Sequence, residues 1–500
     1  MASETRQLVQ RLWGYCSILR DDGLSYPDYV EQLTYLLFLK MADEQALVTP
    51  SVQIVPHEYS WPSLIGRAGE ALKEQYSLIL RALAGSPGML GVIFYGAENK
   101  IRDAAKLRLL VVDLIGKTTW TSLDADVKGD AYEGLLEKNA QDTKSGAGQY
   151  FTPRPVVDAV IACMQPRVGE TVYDPACGTG GFLTAAHRYM ADQSSMSESD
   201  ERQLKTSTFW GTELVHAVAR LATMNLLLHG IGPKEAEGIP PVLVADSLAE
   251  APNRSYDVIL TNPPFGKRSS VTVVTERDSE DVHGLSAFRS DLWVSTSNKE
   301  LNFLQHVASC LSERGRAAVV IPDGVLTAGG PGEIIRRRLL NEFDVHTLLR
   351  LPTGIFYAQG VNANVLFFDQ RRAGATPIST LWCYDLRSGK RFSLAGNPIQ
   401  RADLREFEEL FLPTAKENRE PTWSEVQPCG RWKEFDHAEI LDRSDASLDL
   451  FWINDSTDNV LPTPEVLNGL MSDVLKNLQS VVERVQGLAQ RTEALNSREN

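Results

Sequence analysis

The segment Asn262-Pro263-Pro264-Phe265 carries side chains suited to chemistry on an amine. It follows the apolar run 257–261, which predicts a β-strand. Each proline fixes φ and lacks a backbone N–H, so the Asn262 side-chain oxygen and the Pro263 carbonyl become acceptors with fixed directions. An amine held between two such acceptors is drawn toward tetrahedral geometry, and its lone pair then points at an electrophile. The charge that develops on the amine is stabilised electrostatically, without a general base before the attack.

Phe265 completes this segment with a flat aromatic face. A nucleobase gains about 1–3 kcal/mol by stacking on such a face. A base that carries an exocyclic amine is therefore the predicted target. The plainer alternative is a strand that ends at proline, with a packed phenylalanine after it. The acids that follow the preceding strands weigh against that alternative.

A glycine-rich loop, from Asp174 to Phe182, follows another apolar run. Gly178, Gly180 and Gly181 allow a tight turn and a close approach of a ligand to the backbone. The spacing lacks the third glycine of a dinucleotide-binding loop, and the acid before the loop would repel a pyrophosphate but attract an ammonium. S-adenosyl-L-methionine has an α-amino group and no phosphate, so the loop predicts this cofactor.

Two further acids, Glu213 and Asp246, follow the next two apolar runs. Glu213 is placed to accept hydrogen bonds from both ribose hydroxyls of the cofactor, and Asp246 to accept one from its adenine amine. Ligands of open α/β sheets bind at the carboxyl ends of the strands, so these acids are predicted to share one crevice with Asp174 and Asn262. Each could instead cap a helix, but four in succession favour a binding site.

The elements that must position these residues alternate between short apolar runs and helix-like segments, which indicates a parallel sheet with crossover helices. The predicted fold class is α/β, a Rossmann-like S-adenosylmethionine-dependent methyltransferase fold with helical flanks. The predicted strands are 171–173, 208–210, 242–244, 257–261, 317–321 and 361–368. The predicted regions are a helical N-terminal domain (1–140), a catalytic domain (141–370), a mixed accessory region (371–460) and a C-terminal helix (461–500).

The C-terminal helix carries an apolar seam whose members are spaced alternately by four and three residues. They are Leu467, Met471, Val474, Leu478, Val481, Val485 and Leu488. This period of 3.5 is typical of a coiled coil. The same stripe would also suit packing on the chain's own domain. The break at Pro462 and Pro464 and the scarcity of aromatic anchors favour a partner instead.

Composition narrows the class of protein. The 500 residues carry a formal net charge of −15, which is awkward for a nucleic-acid enzyme because Lys and Arg supply most sequence-independent affinity for phosphates. Either the basic surface is local or a partner supplies it. No apolar run of about 18 residues exists and no signal sequence opens the chain, so we expect a cytoplasmic protein without membrane contact. The six cysteines are scattered, and no metal site is expected.

The motifs, in their order, resemble those of the amino-methylating adenine-N6 DNA methyltransferases. They are DPACGTGGF (174–182), TEL (212–214), ADSL (245–248) and NPPFG (262–266). Three more segments are similar to those of the modification (M) subunits of type I restriction-modification systems: GQYFTPR (148–154), RAAVVIPD (316–323) and LPTGIFYAQGVNAN (351–364). The resemblance is close over about residues 130–370 and looser over 371–460.

This resemblance implies methylation of adenine N6 in double-stranded DNA, with the base flipped out of the stack. The residues implied to hold the cofactor are Gln149, Tyr150, Phe151, Thr152, Pro153, Arg154, Asp174, Gly178, Thr179, Gly180, Glu213 and Asp246. Asn262, Pro263, Pro264 and Phe265 are implied to hold the target adenine. The implied partners are one specificity (S) subunit for two M subunits, and a restriction (R) subunit. Much of the phosphate contact would then belong to the S subunit, which would account for the acidic charge.

Two alternatives remain open from the residues. One is a stand-alone methyltransferase that acts on RNA or on a protein glutamine, since similar motifs serve those amines. The other is a non-catalytic assembly scaffold. The large regions outside 148–317 and the C-terminal seam favour assembly over the first, and the intact catalytic positions argue against the second.

Overall fold

The computed structural model of the chain describes most of residues 2–453. The described ranges are 2–20, 23–48, 54–120, 123, 125–142, 152–193, 196–233, 238–265, 268–274, 286–356, 362–374, 377–387, 392–393 and 397–453. Three predicted cofactor residues, Gln149, Tyr150 and Phe151, and the predicted C-terminal helix lie outside these ranges. Residues Met1–Trp452 form one compact unit.

The N-terminal region is helical, as predicted. Its helices are α1 (Ala2–Arg20), α2 (Tyr26–Val48), α3 (Pro62–Ile65), α4 (Glu70–Ala84), α5 (Gly88–Phe94), α6 (Ala104–Arg108), which continues into a π-helical turn at Leu109–Ile115, and α7 (Ala125–Asp142). Helix α2 is apolar on most of its circumference, so it lies at the centre of this region with Tyr29, Leu33, Leu36 and Leu37 buried.

Within the described residues, nine strands form the main sheet in the order β12-β11-β9-β10-β8-β4-β1-β2-β3. The strands of the chain are β1 (Val172–Asp174), β2 (Phe209–Glu213), β3 (Val242–Val244), β4 (Tyr256–Thr261), β5 (Arg268–Val274), β6 (Ser286–Phe288), β7 (Thr296–Asn298), β8 (Leu311–Pro322), β9 (Phe343–Arg350), β10 (Ala363–Gln370), β11 (Thr380–Asp385) and β12 (Trp432–Asp436). All six predicted strands are confirmed. Strands β9, β11 and β12 were not predicted from the sequence.

The sheet is mixed rather than wholly parallel. Strands β10 and β12 run antiparallel to their neighbours, whereas β1, β2, β3, β4 and β8 run parallel. The expectation of a parallel sheet is therefore wrong for β10, which follows β9 without a crossover helix. The parallel strands place the residues after β1, β2, β3 and β4 at one edge of the sheet, here called the carboxyl edge.

Helices cover both faces of this sheet. They are α8 (Arg154–Met164), α9 (Gly181–Ala191), α10 (Glu198–Thr206), α11 (His216–Leu228), α12 (Lys299–Ser309), α13 (Asp323–Thr327), α14 (Pro331–Glu342), α15 (Arg401–Phe411) and α16 (His437–Asp442). Alternate residues of β8 enter opposite cores, with Ala318 and Val320 in one and Ala317 and Val319 in the other. A strand that is buried on both faces reads as a continuous apolar run, which is why β8 was recognisable in the sequence.

The region beyond residue 370 extends the same sheet, since β11 pairs with β9 and β12 pairs with β11. The predicted boundary at 370 thus falls between two strands of one sheet. The side chain of Arg336 holds the C-terminal end of this region, at residues 445–446, against the rest of the domain. Its side chain is 1% exposed, and it donates to the carbonyls of Val325, Ala328, Asp445 and Ala446 at 2.6–3.1 Å. This arginine is an internal anchor and cannot contact DNA phosphates.

The polar stretch between β4 and α12 forms a second small sheet, in the order β6-β5-β7. It follows the Asn-Pro-Pro-Phe segment closely in the sequence. Among the described residues, no helix is long and apolar enough to cross a membrane.

Candidate active site

A pocket of about 450 Å³ opens at the carboxyl edge of the sheet. We call it the carboxyl-edge pocket. Eight predicted site residues line it: Thr152, Arg154, Asp174, Thr179, Glu213, Asp246, Asn262 and Pro264. Five others that are described do not line it: Pro153, Gly178, Gly180, Pro263 and Phe265. The structure therefore brings together the four strand-end residues that the sequence singled out.

The glycine loop is held in place by its own backbone. Gly178 has φ 53° and Gly180 has φ 82°, a left-handed region that favours glycine. The Gly178 N–H donates to Glu213 Oε2 at 3.1 Å. A Cβ at Gly211 of β2 would lie 2.8 Å from the Cys177 sulfur, so β2 and the loop pack too closely for any side chain there. The positive φ at 178 is a backbone reason for glycine there.

Asp174 is almost fully buried at the end of β1, with 2% of its surface exposed. Its Oδ1 accepts the Ala176 N–H at 3.0 Å. Burial raises the pKa of Asp174 to about 7; the nearby Thr261 hydroxyl and the Ala176 N–H oppose this rise, and the Glu213 carboxylate adds to it. Within the described residues, no cationic side chain forms an ion pair with Asp174. A buried carboxylate of this kind gains most from a cationic ligand.

Glu213, at the end of β2, is 5% exposed. Its two carboxylate oxygens each accept one backbone N–H, from Gly178 at 3.1 Å and from Val215 at 2.8 Å. Burial raises the pKa of Glu213, and these backbone donors lower it in part. Each oxygen keeps acceptor capacity for a hydroxyl. Asp246 accepts the Leu248 N–H at 2.9 Å and is therefore also fixed in direction.

Asn262 is oriented by a contact that the sequence did not reveal. Its Nδ2 donates to Thr152 Oγ1 at 2.9 Å. Its Oδ1 is shielded from solvent and has no hydrogen-bond partner among the described residues. A buried acceptor without a donor costs free energy unless a ligand satisfies it. The amide is thus fixed with its oxygen free to receive an N–H donor.

Phe265 lies just beyond the pocket wall. Its ring is half-buried and packs edge-on against Phe356, with centroids 6.2 Å apart and an interplanar angle of 81°. A different aromatic ring, that of Phe303 on α12, lines the pocket together with Lys299. Sequence reasoning missed both, because they lie about 40 residues after the motif on a helix with no motif of its own.

The helical N-terminal region supplies another wall through Glu133 and Leu136 of α7. Glu133 forms an ion pair with Arg154 and accepts the Thr184 hydroxyl at 2.6 Å. It also lies with Asp130 and His229 in a group whose ligand atoms are within 4.8 Å of one another. Arg154 and Arg188 already supply positive charge to these acids, so the group needs no metal ion for neutralisation. A role for this helix in the pocket had no sequence signal.

Comparison with known proteins bears on this site. The family model of the N-6 DNA methylases matches residues 123–435, and that of the HsdM N-terminal domain matches residues 8–114. The first match contains every described residue named in the pocket, and the second covers the helical region up to the π-helical turn.

Several relatives match nearly the whole chain, among them the following two. The chain is 35% identical over 504 residues to the type I restriction enzyme StySPI methylase subunit of Salmonella potsdam, covering 92% of this chain and 91% of that one. It is 34% identical over 503 residues to the type I restriction enzyme EcoKI methylase subunit of Escherichia coli (strain K12), with the same coverage. A chain from a structure of complex assembly and conformational transition in the type I R-M system is 28% identical, has a TM-score of 0.74, and is matched over 97% of this chain and 98% of that one.

Proposed function

Because this chain belongs to the N-6 DNA methylase family, and is an adenine-specific DNA methyltransferase subunit of the type I restriction-modification kind, we propose that the carboxyl-edge pocket holds S-adenosyl-L-methionine beside a flipped adenine. The observation that carries the proposal is the Asn262 amide, which is fixed by Thr152 with its oxygen buried and unsatisfied. That oxygen stands in one pocket with three oriented carboxylates.

The donor set of the pocket fits this cofactor. Asp174 offers a buried carboxylate for the α-ammonium, and its unmatched negative charge favours a cationic ligand over a phosphate. Glu213 offers two oxygens for the ribose hydroxyls, and Asp246 offers one for the adenine amine. Thr152, Arg154 and Thr179 line the same space. When bound, the cofactor supplies the electrophilic methyl group.

The target amine would be held by this chain's own acceptors. Asn262 Oδ1 accepts one N–H of the adenine amine and the Pro263 carbonyl accepts the other, as the sequence predicts. The nitrogen then becomes more tetrahedral, and its lone pair becomes available for attack. Because the amide cannot rotate without breaking the bond to Thr152, the acceptor is in place before the reaction. The target base must leave the duplex to reach it.

Phe265 is proposed to stack against the flipped base. Its present contact with Phe356 is edge-on, which leaves a ring face for stacking. Phe303, in the pocket wall, is available to pack against whichever ring enters.

Assembly is proposed on the same premise. Two copies of this chain would join one specificity subunit, and a restriction subunit would complete the complex. The seam from Leu467 to Leu488 is proposed to bind the specificity subunit, on its 3.5-residue period. This arrangement would place sequence reading on another chain, which suits the formal charge of −15.

Substitution of Asn262 tests the proposed chemistry. Asn262→Ala should lower methyl transfer to adenine N6, measured by mass spectrometry of duplex DNA, by about 10²–10³-fold, by analogy with loss of one oxyanion-hole donor. The affinity for S-adenosylhomocysteine, measured by calorimetry, should stay near the wild-type value. Asn262→Asp is the matched control, since it keeps an acceptor oxygen and the Thr152 hydroxyl can donate to it. Wild-type turnover in Asn262→Ala would refute the mechanism.

Truncation tests the proposed assembly. A chain that ends at Asp458 should bind S-adenosylhomocysteine normally but fail to co-purify with a tagged specificity subunit. Native mass spectrometry of the full complex should show two copies of this chain for each specificity subunit. Recovery of a methylating complex from the shortened chain would show that the seam is not needed for assembly.

A further inference from the structure

A second cavity, of about 550 Å³, opens at the opposite edge of the sheet. We call it the amino-edge cavity. It lies where β8 and β9 begin and where antiparallel β10 ends. The end of α8 and the turn before β1 complete its wall through Met164, Arg167 and Glu170. None of the residues assigned to methyl transfer lines it.

Positive charge is in excess around this cavity. Its cationic lining residues are Arg167, Arg314, Arg316, Arg372 and Lys416, and its acidic ones are Glu170, Asp344 and Asp369. Each acid already has a partner, because Glu170 binds Arg316, Asp344 binds Arg371, and Asp369 binds Lys416. These three carboxylates are therefore paired with other cations, and none of them is paired with Arg167, Arg314 or Arg372.

Those three, Arg167, Arg314 and Arg372, are exposed at the mouth of the cavity. Within the part of the chain that the structure describes, none of them forms a side-chain ion pair or hydrogen bond. They come from three separate places in the sequence, and the antiparallel pairing of β8 with β10 brings two of them together. Guanidinium groups gathered in this way present unused N–H donors to solvent.

The cavity also has a buried cation behind its wall. Arg419 is 6% exposed and donates to the carbonyls of Phe411 at 2.7 Å and His346 at 3.4 Å, and to the Thr347 hydroxyl at 3.1 Å. Its Nη2 has no acceptor, and among the described residues no carboxylate forms an ion pair with it. Phe411 and His346, which contact this guanidinium, line the cavity. A buried cation without a carboxylate raises the local positive potential.

We propose that the amino-edge cavity is a binding site for a small phosphate-bearing anion, of the size of a pyrophosphate or a nucleotide. Arg167, Arg314 and Arg372 would donate to the phosphate oxygens, and Arg419 and Lys416 would supply a favourable potential beneath them. Arginine suits this role because its planar donors match two oxygens of one phosphate group.

A small ligand fits this cavity better than duplex DNA does. The site is a concave space of about 550 Å³, which is in the range of small-molecule pockets of roughly 300–1,000 Å³. It also lies at the edge of the sheet away from Asn262, and it shares no lining residue with the carboxyl-edge pocket.

Calorimetric titration of the full chain with inorganic pyrophosphate, and separately with ADP, tests the proposal. Saturating S-adenosylhomocysteine is present, so that the carboxyl-edge pocket is not available. The pair R314Q and R372Q should weaken pyrophosphate binding by about 10²-fold, at roughly tenfold for each lost charged hydrogen bond. The matched control is R67Q with R102Q, which removes two other exposed arginines that have no carboxylate partner among the described residues. That control should bind as the wild type does.

Three results would overturn the proposal. One is absence of binding of either anion at millimolar concentration. Another is an equal loss in both arginine pairs, which would indicate general charge attraction. The third is that R314Q with R372Q weakens binding of a short DNA duplex, measured by fluorescence anisotropy, but does not weaken binding of pyrophosphate. That result would make the cavity part of a DNA-binding surface.

Discussion

The two edges of the main sheet carry opposite unmatched charges. At the carboxyl edge, Asp174 is buried and has no cationic partner among the described residues. At the amino edge, Arg419 is buried and has no carboxylate partner within the same part of the chain. Among the described residues, one sheet thus has a buried carboxyl without a cationic partner at one edge and a buried guanidinium without a carboxylate partner at the other. A net charge of −15 conceals this separation, because it reports a total and not a distribution.

The titrating groups at the two edges reflect this difference. Burial, with the Glu213 charge, raises the pKa of Asp174 to about 7. Burial, with the Lys416 charge, lowers the pKa of His346 to about 4, against the opposing effect of Asp369. Each group is held toward its neutral form. A site kept ready for a charged ligand therefore costs stability while the ligand is absent.

The largest expected effect is on stability, through Asp174→Asn. Because the folded-state pKa is raised, the carboxyl favours folding below its unfolded pKa, and this contribution is lost as pH rises through about 7. The Asp174→Asn variant has no carboxyl to ionise at this position, so its stability does not fall in this way as pH rises. Between about pH 4.5 and about pH 7.5, the stability of the variant relative to the wild type should therefore rise by roughly 3 kcal/mol.

Urea unfolding of both chains, without cofactor, across this pH range measures the difference. His346 acts in the opposite sense: its lowered pKa gives a contribution that is lost as pH falls from its ordinary value through about 4. It is present in both chains and so cancels in the difference. A stability difference that does not change with pH would show that Asp174 is not held toward its neutral form.

The second largest expected effect is on ligand affinity, and it distinguishes the carboxyl-edge pocket from the amino-edge cavity. Asp174→Asn should weaken S-adenosylhomocysteine by about 100-fold, because a hydrogen bond to a charged group is lost. The same variant should bind pyrophosphate as the wild type does, since Asp174 and the arginines lie at different edges of the sheet. The substitution that stabilises the empty protein is thus expected to disable it.

Calorimetry at about pH 8, where the carboxyl is ionised, gives both affinities. R314Q with R372Q provides the reciprocal control, with S-adenosylhomocysteine affinity unchanged. If Asp174→Asn weakened both ligands equally, the two edges would be coupled and would not act as separate binding sites.

The sequence predicted the carboxyl-edge pocket well because its chemistry is local. Each of its four predicted polar residues stands at the end of an apolar strand: Asp174, Glu213, Asp246 and Asn262. Neighbouring parallel strands end at the same edge of a sheet, so these residues come together there. The antiparallel course of β10 was not predicted, since a buried apolar run has the same appearance in either direction.

The amino-edge cavity had no sequence signal. Arg167, Arg314, Arg372 and Arg419 are separated by long stretches, and each alone resembles an ordinary surface charge. The run Arg336-Arg337-Arg338 was the more visible basic cluster, yet Arg336 is buried and its neighbours bind Glu333 and Glu342. Glu133 was missed for a similar reason, because only its contacts with Arg154 of α8 and Thr184 of α9 show that it reaches the pocket.

The anchor at Arg336 has a consequence for how the chain is made. Two of its four acceptors, the carbonyls of Asp445 and Ala446, lie 109 and 110 residues further along the chain. At a synthesis rate of about 5–20 residues per second, the ribosome needs roughly 5–20 s to deliver them. Until then the guanidinium lacks half of its acceptors, so α14 cannot reach its final place beside them. This side of the sheet is therefore completed only after residues near the end of the compact unit have been translated.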